Sequence, residues 1–357
     1  MAPTPSAASG PTIYQVATLA GVSTATVSRA LAHSDKVRPS TRDRVLAAAH
    51  ELGYVPEAAA RALAGRRTRA LGAVLPHMDG AYYSELLVGF ELAASALGMS
   101  VVIDLAHPDT DPRASVRDLA GRVDAVAFMA RSSVTSDLIR EVASTRPVIT
   151  VARPEVDGCD ALFSENHEGA RALTAHLIAH GRTRLGFAGP LEHGSDIAAR
   201  YAGFLDALAS AGLAEVAHLD VEPMERGGRA LAHDLLARGD LGTANAPFDA
   251  IVCGNDEIAL ALTHTLTRAG ISVPGDLAVT GWDNTITARY LTPTLTSVQQ
   301  PVADLGRRAA ELLVARLTGA PVGPSITLPA EPIYRGSCGC PDTDLHPAPA
   351  PAAATSS

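Results

Sequence analysis

The chain has 357 residues, of which 47% are hydrophobic and 19% are charged, with a formal net charge of −9. This composition is typical of a folded protein of two or three compact units and excludes an intrinsically disordered chain. The negative charge argues against binding of nucleic acid along the whole chain. Residues 11–70 differ, because nine Arg and Lys residues there face only four acids. We therefore predict that this segment forms one small module that binds the phosphate groups of nucleic acid.

Both ends of the chain are rich in small residues and proline, so residues 1–11 and 337–357 are predicted to be disordered. The N-terminus lacks the basic and apolar regions of a signal peptide, and no apolar run reaches the ~20 residues of a membrane helix. We therefore expect a cytoplasmic protein with no membrane partner.

Three short helices are predicted in residues 12–55. The first has one apolar face, formed by Ile13, Val16, Ala17 and Ala20. Gly21 ends it, and Ser23 is well placed to cap a second helix over residues 24–31. Ser40 and Asp43 are spaced as a capping box for a third helix. The third helix is expected to bury three residues and to stop at Gly53; these three are Val45, Ala49 and Leu52.

Two helices joined by a glycine turn are typical of a helix-turn-helix. Val27 and Leu31 are expected to hold the second helix against the first. The outer surface then consists of Thr24, Ala25, Ser28 and Arg29. Thr and Ala methyl groups can touch a thymine methyl, and Arg can pair with guanine or phosphate. The pattern favours double-stranded DNA as a partner over an exposed basic helix with no partner.

From residue 70 onward, apolar runs alternate with helical stretches. The runs are 71–75, 101–105, 123–129, 148–151, 185–188, 250–253 and 277–280. Buried parallel strands with helices on both faces produce this pattern. It indicates two similar lobes, about 71–160 and 183–290, with a ligand cleft between them at the carboxyl ends of the strands.

Two groups of residues look like fragments of a metal site. Cys338 and Cys340 form a Cys-x-Cys pair, while His176 and His180 lie at i and i+4 on one predicted helix. No second Cys/His pair lies near the cysteines along the chain, and no third ligand is implied beside the histidines, so we predict no metal. The sequence also lacks the common nucleotide-binding and hydrolase motifs, and we predict neither a cofactor nor an enzyme.

The string TIYQVATLAGVSTATVSRAL, followed by VRPSTRDRVLAAAHELGYVPEAAARALAG, resembles the head of the lactose-repressor/galactose-repressor (LacI/GalR) family. The likeness runs from Thr12 to about Gly336. It implies an α/β protein with an N-terminal all-α helix-turn-helix head in residues 12–55 and a hinge helix and linker in 56–69. Residues 70–336 would form a two-lobed, periplasmic-binding-protein-like sensor with parallel sheets. The family consists of transcriptional regulators, most often repressors.

By position, the resemblance assigns DNA contacts to the head and the hinge. Thr24 and Ala25 would be the base-reading pair, with Arg29 as the third reader. Leu63 matches the leucine that members wedge into the minor groove, which kinks the duplex. Glu57 departs from the usual Asn or Ser that caps the hinge helix, although a carboxylate also suits a helix N-terminus. The predicted DNA-binding set is Tyr14, Ser23, Thr24, Ala25, Thr26, Ser28, Arg29, Leu63 and Arg66.

The resemblance also places an effector in the cleft. Tyr82 and Tyr83 stand where members carry two aromatic residues, and we expect one to face the cleft and the other the core. The strings SDIAARYAGF, GND and GWD match family motifs that supply an arginine, an amide and a carboxylate, which can bind adjacent hydroxyl groups. Stacking is a second role expected for Trp282. The predicted effector set is Tyr82, Tyr83, Arg153, Arg200, Asn255, Trp282, Asp283 and Gln300.

The expected function is regulation of a carbohydrate-use operon by a mono- or oligosaccharide effector. Two alternatives stay open: a non-sugar effector such as a nucleobase, and a solute-binding protein, which would need a signal peptide and would have no helix-turn-helix. Tetrameric members carry a C-terminal leucine-heptad helix. The Pro/Ala-rich end of this chain lacks that pattern, which predicts a homodimer on a palindromic operator.

Overall fold

The computed structural model describes residues 11–32, 37–54, 68–106, 110–130, 132–191, 195–214 and 217–341. Contacts within the chain divide it into two compact units, Met1–Thr68 and Arg69–Ser357. Among the described helices, none combines the length and apolarity needed to cross a membrane. The disorder predicted for residues 1–10 and 342–357 lies outside the described residues.

The N-terminal unit contains the three predicted helices. They are α1 (Ile13–Ala20), α2 (Thr24–Ala32) and α3 (Pro39–Glu51). Each contributes a fully buried valine to their common core, namely Val16, Val27 and Val45. Gly21 ends α1 with a φ of 64°, a left-handed conformation that glycine adopts without steric cost.

The start of α3 differs from the predicted capping box. The helix begins at Pro39, with Arg38 at its N-cap and no capping side chain among the residues that the structure describes. Ser40 and Asp43 therefore lie inside the helix. Proline is favoured at the first helical position because its φ is already helical and its missing N–H would have no partner there.

The larger unit alternates strands with helices. Its strands are β1 (Ala70–Leu75), β2 (Ser100–Leu105), β3 (Ala125–Met129), β4 (Val148–Val151), β5 (Asp160–Ser164), β6 (Leu185–Ala188), β7 (Ala217–Leu219), β8 (Ala250–Cys253), β9 (Ala278–Thr280), β10 (Ser297–Gln299), β11 (Ile326–Leu328) and β12 (Glu331–Ile333). Its α-helices are α4 (Ala81–Ala96), α5 (Arg113–Arg122), α6 (Ser136–Ala143), α7 (His167–Ala179), α8 (Asp196–Ser210), α9 (Glu225–Arg238), α10 (Asp256–Arg268) and α11 (Val302–Leu317). Short 3-10 helices occupy Ile286–Arg289 and Gly336–Cys338.

The strands form two parallel sheets, one in each lobe. The first sheet has the order β11-β5-β4-β3-β1-β2 and the second the order β7-β6-β8-β9. Strands β10 and β12 form a separate antiparallel pair. The predicted two-lobed α/β architecture with parallel sheets is confirmed.

The first lobe is not one continuous stretch of chain. Strand β11 pairs with β5, and α11 contributes Val302, Leu305 and Leu313 to the core beneath the first sheet. The predicted lobe limits, 71–160 and 183–290, are therefore incomplete, because the chain returns to the first lobe after residue 300. A buried parallel strand has the same apolar pattern in either sheet, so the sequence did not indicate this return.

Glycines allow α4 and α11 to pack closely. A Cβ atom added at Gly89 would lie 2.0 Å from the carbonyl oxygen of Ala303, and one at Gly306 would lie 2.0 Å from that of Leu86. We expect Gly89→Ala to lower the free energy of unfolding by about 1–3 kcal/mol, since the helix backbones must separate. The control is Gly121→Ala on α5, where an added Cβ meets open space. Chemical denaturation of both variants tests this, and equal losses of stability would contradict it.

The folded chain extends past residue 336. Ser337 and Cys338 are buried. The Ser337 hydroxyl donates to the Val279 carbonyl at 2.6 Å and accepts from the Thr296 amide at 2.9 Å. The prediction of disorder from residue 337 is therefore wrong for residues 337–341, because these hydrogen bonds tie the segment to the core of the second lobe.

Candidate functional site

The start of α2 has the geometry expected of a helix that presents its outer face to a partner. Ser23 caps the helix by accepting from the Thr26 amide at 3.2 Å, as predicted, and the two hydroxyl groups lie 2.9 Å apart. Ala25, Ser28 and Arg29 are exposed. Thr24 is half-buried at the same end. Small side chains at the start of an exposed helix permit close approach to a major groove.

Two larger side chains of the predicted DNA-binding set, Tyr14 and Arg29, are also exposed on the N-terminal unit. The Tyr14 side chain on α1 is 72% exposed, so its phenol is available to a phosphate. The Arg29 Nε atom donates to the Ala25 carbonyl at 3.1 Å, which holds the guanidinium along the helix. The predicted hinge contacts, Leu63 and Arg66, lie outside the described residues.

The predicted cleft residues follow the carboxyl ends of strands from both lobes. Tyr82 and Tyr83 begin α4, shortly after β1, and Arg153 follows β4. In the second lobe, Asp283 follows β9 and Gln300 follows β10. Crevices at these strand ends are the usual ligand sites of open parallel sheets.

Arg200 lies at the centre of the second-lobe group and is only 5% exposed. Its Nε atom donates to Asn166 Oδ1 at 2.8 Å, and its Nη1 atom donates to the Gly254 carbonyl at 2.6 Å. Its guanidinium carbon lies 4.5 Å from the centre of the Trp282 ring. These contacts fix the guanidinium plane, as bidentate recognition of a ligand requires.

Asp283 is the carboxylate of the cleft. Gln300 Nε2 donates to Asp283 Oδ1 at 2.5 Å. Burial raises the pKa of the Asp283 carboxyl to about 8, although the Arg200 guanidinium opposes this rise. The Asp283 backbone has a φ of 113°, which L-residues rarely adopt.

A buried network holds the loop that carries Asp283. Asp256 is fully buried and accepts from the Thr285 amide at 2.7 Å and from the Ser297 hydroxyl at 2.6 Å. Burial raises the pKa of this carboxyl to about 6. The buried Arg335 donates from Nη2 to Asn284 Oδ1 at 2.7 Å. These bonds keep the unfavourable backbone conformation in place.

We expected one of Tyr82 and Tyr83 to face the core and the other to face the cleft. The structure does not divide them in this way. Both are half-buried, and their rings meet edge-to-face with centroids 5.3 Å apart. Burial raises the pKa of both phenols, and Asp283, from the opposite lobe, raises both further. Both rings pack partly on the first-lobe core because they open α4 at the lobe edge. Both phenols therefore lie within electrostatic reach of Asp283.

Three predicted effector contacts are engaged by the protein itself. Asn255 caps α10, since its Oδ1 accepts from the Ile258 amide at 3.0 Å. Trp282 is only 1% exposed and lies beneath the Arg200 guanidinium, so its ring is core and not a stacking surface in this conformation. Arg153 donates to the Val134 carbonyl at 2.7 Å.

Sequence reasoning missed three polar residues near this cleft. Asp196 lies one turn before Arg200 on α8, with 4.0 Å between their charged groups. Asn166 orients Arg200 from the start of α7. A Cβ atom added at Gly80, in the first lobe, would lie 2.1 Å from Oε1 of Glu257 on α10, in the second lobe. The two lobes therefore touch at this point. The i,i+4 spacing of Asp196 and Arg200 was the one signal available in the sequence.

The raised pKa of Asp283 predicts a pH-dependent stability. The folded chain keeps a proton that the unfolded chain releases near pH 3.8. This contribution is complete below that pH and is lost as the pH rises through about 8, so the free energy of unfolding should fall across that window. Thermal unfolding at several pH values should show a smaller fall for Asp283→Asn. The exposed Asp137→Asn is the control, and a fall as large in Asp283→Asn as in the wild type would contradict the assignment.

The structure also corrects the expectation that no Cys/His pair lies near Cys338 and Cys340. His176 Nε2 is 3.4 Å from Cys338 Sγ and 3.3 Å from Cys340 Sγ. The pairs are distant in the chain, and the fold brings them together because residues 336–341 pack beside α7.

Comparison with known proteins identifies both parts of the chain. A family model described as "Bacterial regulatory proteins, lacI family" matches residues 12–57, and one described as "Periplasmic binding protein-like domain" matches residues 174–338. The chain is 33% identical over 323 residues to the HTH-type transcriptional regulator GalR of Escherichia coli strain K12. That alignment covers 88% of this chain and 92% of the relative.

Two solved structures match most of the chain. The lac repressor dimer bound to operator and the anti-inducer ONPF has a TM-score of 0.80 and 25% identity, and the match covers 92% of this chain and 99% of that one. A complex of the transcriptional regulator CelR with cellobiose has a TM-score of 0.68 and 29% identity, with the same coverage. With a helix-turn-helix head, a two-lobed sensor and a GalR relative aligned over most of both chains, this protein belongs to the LacI/GalR family of bacterial transcriptional regulators.

Proposed function

We propose that this protein is a repressor of a carbohydrate-use operon that binds a palindromic operator as a homodimer and responds to a sugar in the cleft between its lobes. In this proposal residues 12–55 bind the operator, and residues 56–69 form the hinge. The segment from residue 70 to at least residue 341 senses the effector and forms the dimer. Such a regulator acts in the cytoplasm, at the nucleoid.

One observation carries the sugar assignment, namely the arrangement of Arg200, Asp283 and Gln300 opposite two tyrosine rings. A guanidinium, a carboxyl group and an amide can together donate to and accept from adjacent hydroxyl groups. Gln300 Oε1 is buried and has no hydrogen-bond partner in the part of the chain that the structure describes. A ligand hydroxyl would satisfy it, and the cellobiose in the CelR complex is a ligand of this class.

The response follows from linkage between two sites. We expect the effector and the operator each to bind one orientation of the lobes more tightly than the other. If both favour the same orientation, each raises the affinity of the other, and if they favour different orientations, each lowers it by the same factor. A sugar whose hydroxyl groups donate to Asp283 favours its ionised carboxylate. Binding should then release a proton near neutral pH, because burial holds the pKa of the free group at about 8.

A thermal-shift screen tests the proposal. Mono- and disaccharides form one arm and nucleobases the other, and each hit is tested for its effect on operator binding and for proton release by calorimetry in two buffers. We expect a sugar to raise the melting temperature of the wild type and to change operator affinity. A shift with a nucleobase alone would overturn the sugar assignment. A tetramer in sedimentation at micromolar concentration would overturn the dimer.

A further inference from the structure

Two histidines and two cysteines meet at the C-terminal end of α7. His176 and His180 lie one turn apart on that helix, with ring centroids separated by 4.4 Å. Cys340 Sγ lies 3.3 Å from His176 Nε2 and 3.7 Å from His180 Nε2. Cys338 Sγ lies 3.4 Å from the same His176 nitrogen. The four side chains therefore form one cluster, although more than 150 residues separate the histidines from the cysteines.

The three sulfur–nitrogen distances in the cluster are those of ligand pairs around one tetrahedral metal ion. Bonds of about 2.3 Å to sulfur and about 2.0–2.1 Å to nitrogen, at a tetrahedral angle, put the two ligand atoms about 3.6 Å apart. The three measured sulfur–nitrogen distances, 3.3, 3.4 and 3.7 Å, bracket that value. The ligand atoms of His176, His180 and Cys340 all lie within 4.8 Å of one another. A single ion can therefore contact all three.

The surrounding fold holds these side chains in place. The Tyr334 ring stacks on His176 with centroids 3.8 Å apart and planes 21° apart. Hydrogen bonds of Ser337 anchor the turn that carries the cysteines. Gly339 has a φ of 105°, which lets the chain reverse between Cys338 and Cys340. Ligands positioned in this way lose little conformational entropy when they bind an ion.

We propose that His176, His180, Cys338 and Cys340 bind one Zn²⁺ ion, which joins residues 336–341 to α7. Two thiolates and two imidazoles in a tetrahedral arrangement form a set that favours Zn²⁺. Four protein ligands leave no open position, so the ion is structural. Binding requires both thiols to release their protons to solvent.

The proposed ion lies apart from the effector cleft. His176 is ten residues beyond Asn166, the residue at the start of α7 that binds Arg200. This separation corresponds to about 15 Å along the helix axis. Metal binding should therefore raise the stability of the second lobe without requiring an effector.

The experiment is metal titration of the full-length, reduced, metal-stripped protein. We expect one Co²⁺ per chain, with visible bands of tetrahedral geometry and near-ultraviolet thiolate-to-cobalt absorption, displaced by Zn²⁺. Cys338→Ser and Cys340→Ser should each remove about half of the thiolate absorption. His180→Ala, at an exposed position, should weaken Zn²⁺ binding by at least about 10–100-fold, the loss typical even of residues that only support a metal ligand. Zn²⁺ should raise the melting temperature of the wild type but not that of Cys340→Ser.

The matched controls are Cys159→Ser and His264→Ala, which remove a cysteine and an exposed helical histidine elsewhere in the second unit. Both should bind metal as the wild type does. Unchanged cobalt spectra in Cys340→Ser and His180→Ala would overturn the site, and an unchanged spectrum in Cys338→Ser would overturn its four-ligand form. If the isolated protein contains a disulfide between Cys338 and Cys340, seen as a mass two hydrogens lighter, and binds no Co²⁺ after reduction, the site is overturned as well.

Discussion

Arg200→Ala is expected to weaken effector binding by about 100-fold or more and to remove the effector response, while operator binding stays nearly unchanged. The substitution leaves Asn166 Oδ1 and the Gly254 carbonyl without their donor and removes the cation that faces Asp283. Truncation of one charged, hydrogen-bonded partner in a buried binding contact typically costs about 2–5 kcal/mol, and about 1.4 kcal/mol corresponds to a tenfold change in affinity.

Two further variants separate loss of binding from loss of folding. Arg171→Ala removes an exposed arginine of the neighbouring α7 and should leave effector affinity intact. Arg200→Lys keeps the charge but not the planar fork, so its affinity should fall between those of the wild type and Arg200→Ala. Calorimetry with the effector found in the screen measures affinity, and thermal unfolding reports folding. A folded Arg200→Ala with wild-type effector affinity would show that the arginine supports the fold only.

Arg29→Ala is expected to weaken specific operator binding by about 5- to 150-fold, since one bidentate base contact is worth about 1–3 kcal/mol of discrimination. The side chain is exposed on α2, whereas Val27 and Ala30 hold the helix in the core of the head. The variant head should therefore remain folded. Binding to a scrambled duplex should fall much less, because that binding depends on phosphate contacts.

The matched control is Arg44→Ala, which removes an exposed arginine with the same charge from α3. Titration on specific and scrambled duplexes at several salt concentrations separates the two effects. If either arginine binds a phosphate, its removal flattens the salt dependence by about one unit and weakens all sequences alike. Equal reductions on both duplexes for Arg29→Ala would assign it to phosphate. If substitutions of Thr24 and Ala25 leave the preferred operator sequence unchanged, the assignment of α2 as the recognition helix is wrong.

Local features of the fold could be predicted from the sequence because they depend on neighbouring residues. The apolar periodicity of α1, the Ser23 cap of α2 and the left-handed Gly21 each follow from residues within one or two turns. Seven of the twelve described strands were predicted for the same reason, from apolar runs, namely β1, β2, β3, β4, β6, β8 and β9. The other five, β5, β7, β10, β11 and β12, were not predicted. The third helix shows the limit of this reasoning, since the fixed φ of Pro39 outweighed the capping-box spacing of Ser40 and Asp43.

The candidate cleft was predicted only in part. The family motifs placed Arg200 and Asp283 in the cleft. The structure brings them close enough for the Arg200 guanidinium to lower the pKa of the Asp283 carboxyl. Burial could not be read in the same way. Trp282 lies in the core, because its burial depends on which elements pack against it. The Asn255 cap of α10 is by contrast a local feature, which the motif reading took for an effector contact.

The sequence by itself determined the helix-turn-helix, the alternation of apolar strands with helices, and the family motifs, all of which rest on short-range patterns. The tertiary structure alone decided that α11 and β11 return to the first lobe and that residues 337–341 are folded. It alone also brought Cys338 and Cys340 to His176 and His180. The physical reason is that contacts between distant segments are set by the packing of whole helices and sheets, and the apolar pattern of one segment is compatible with several such packings.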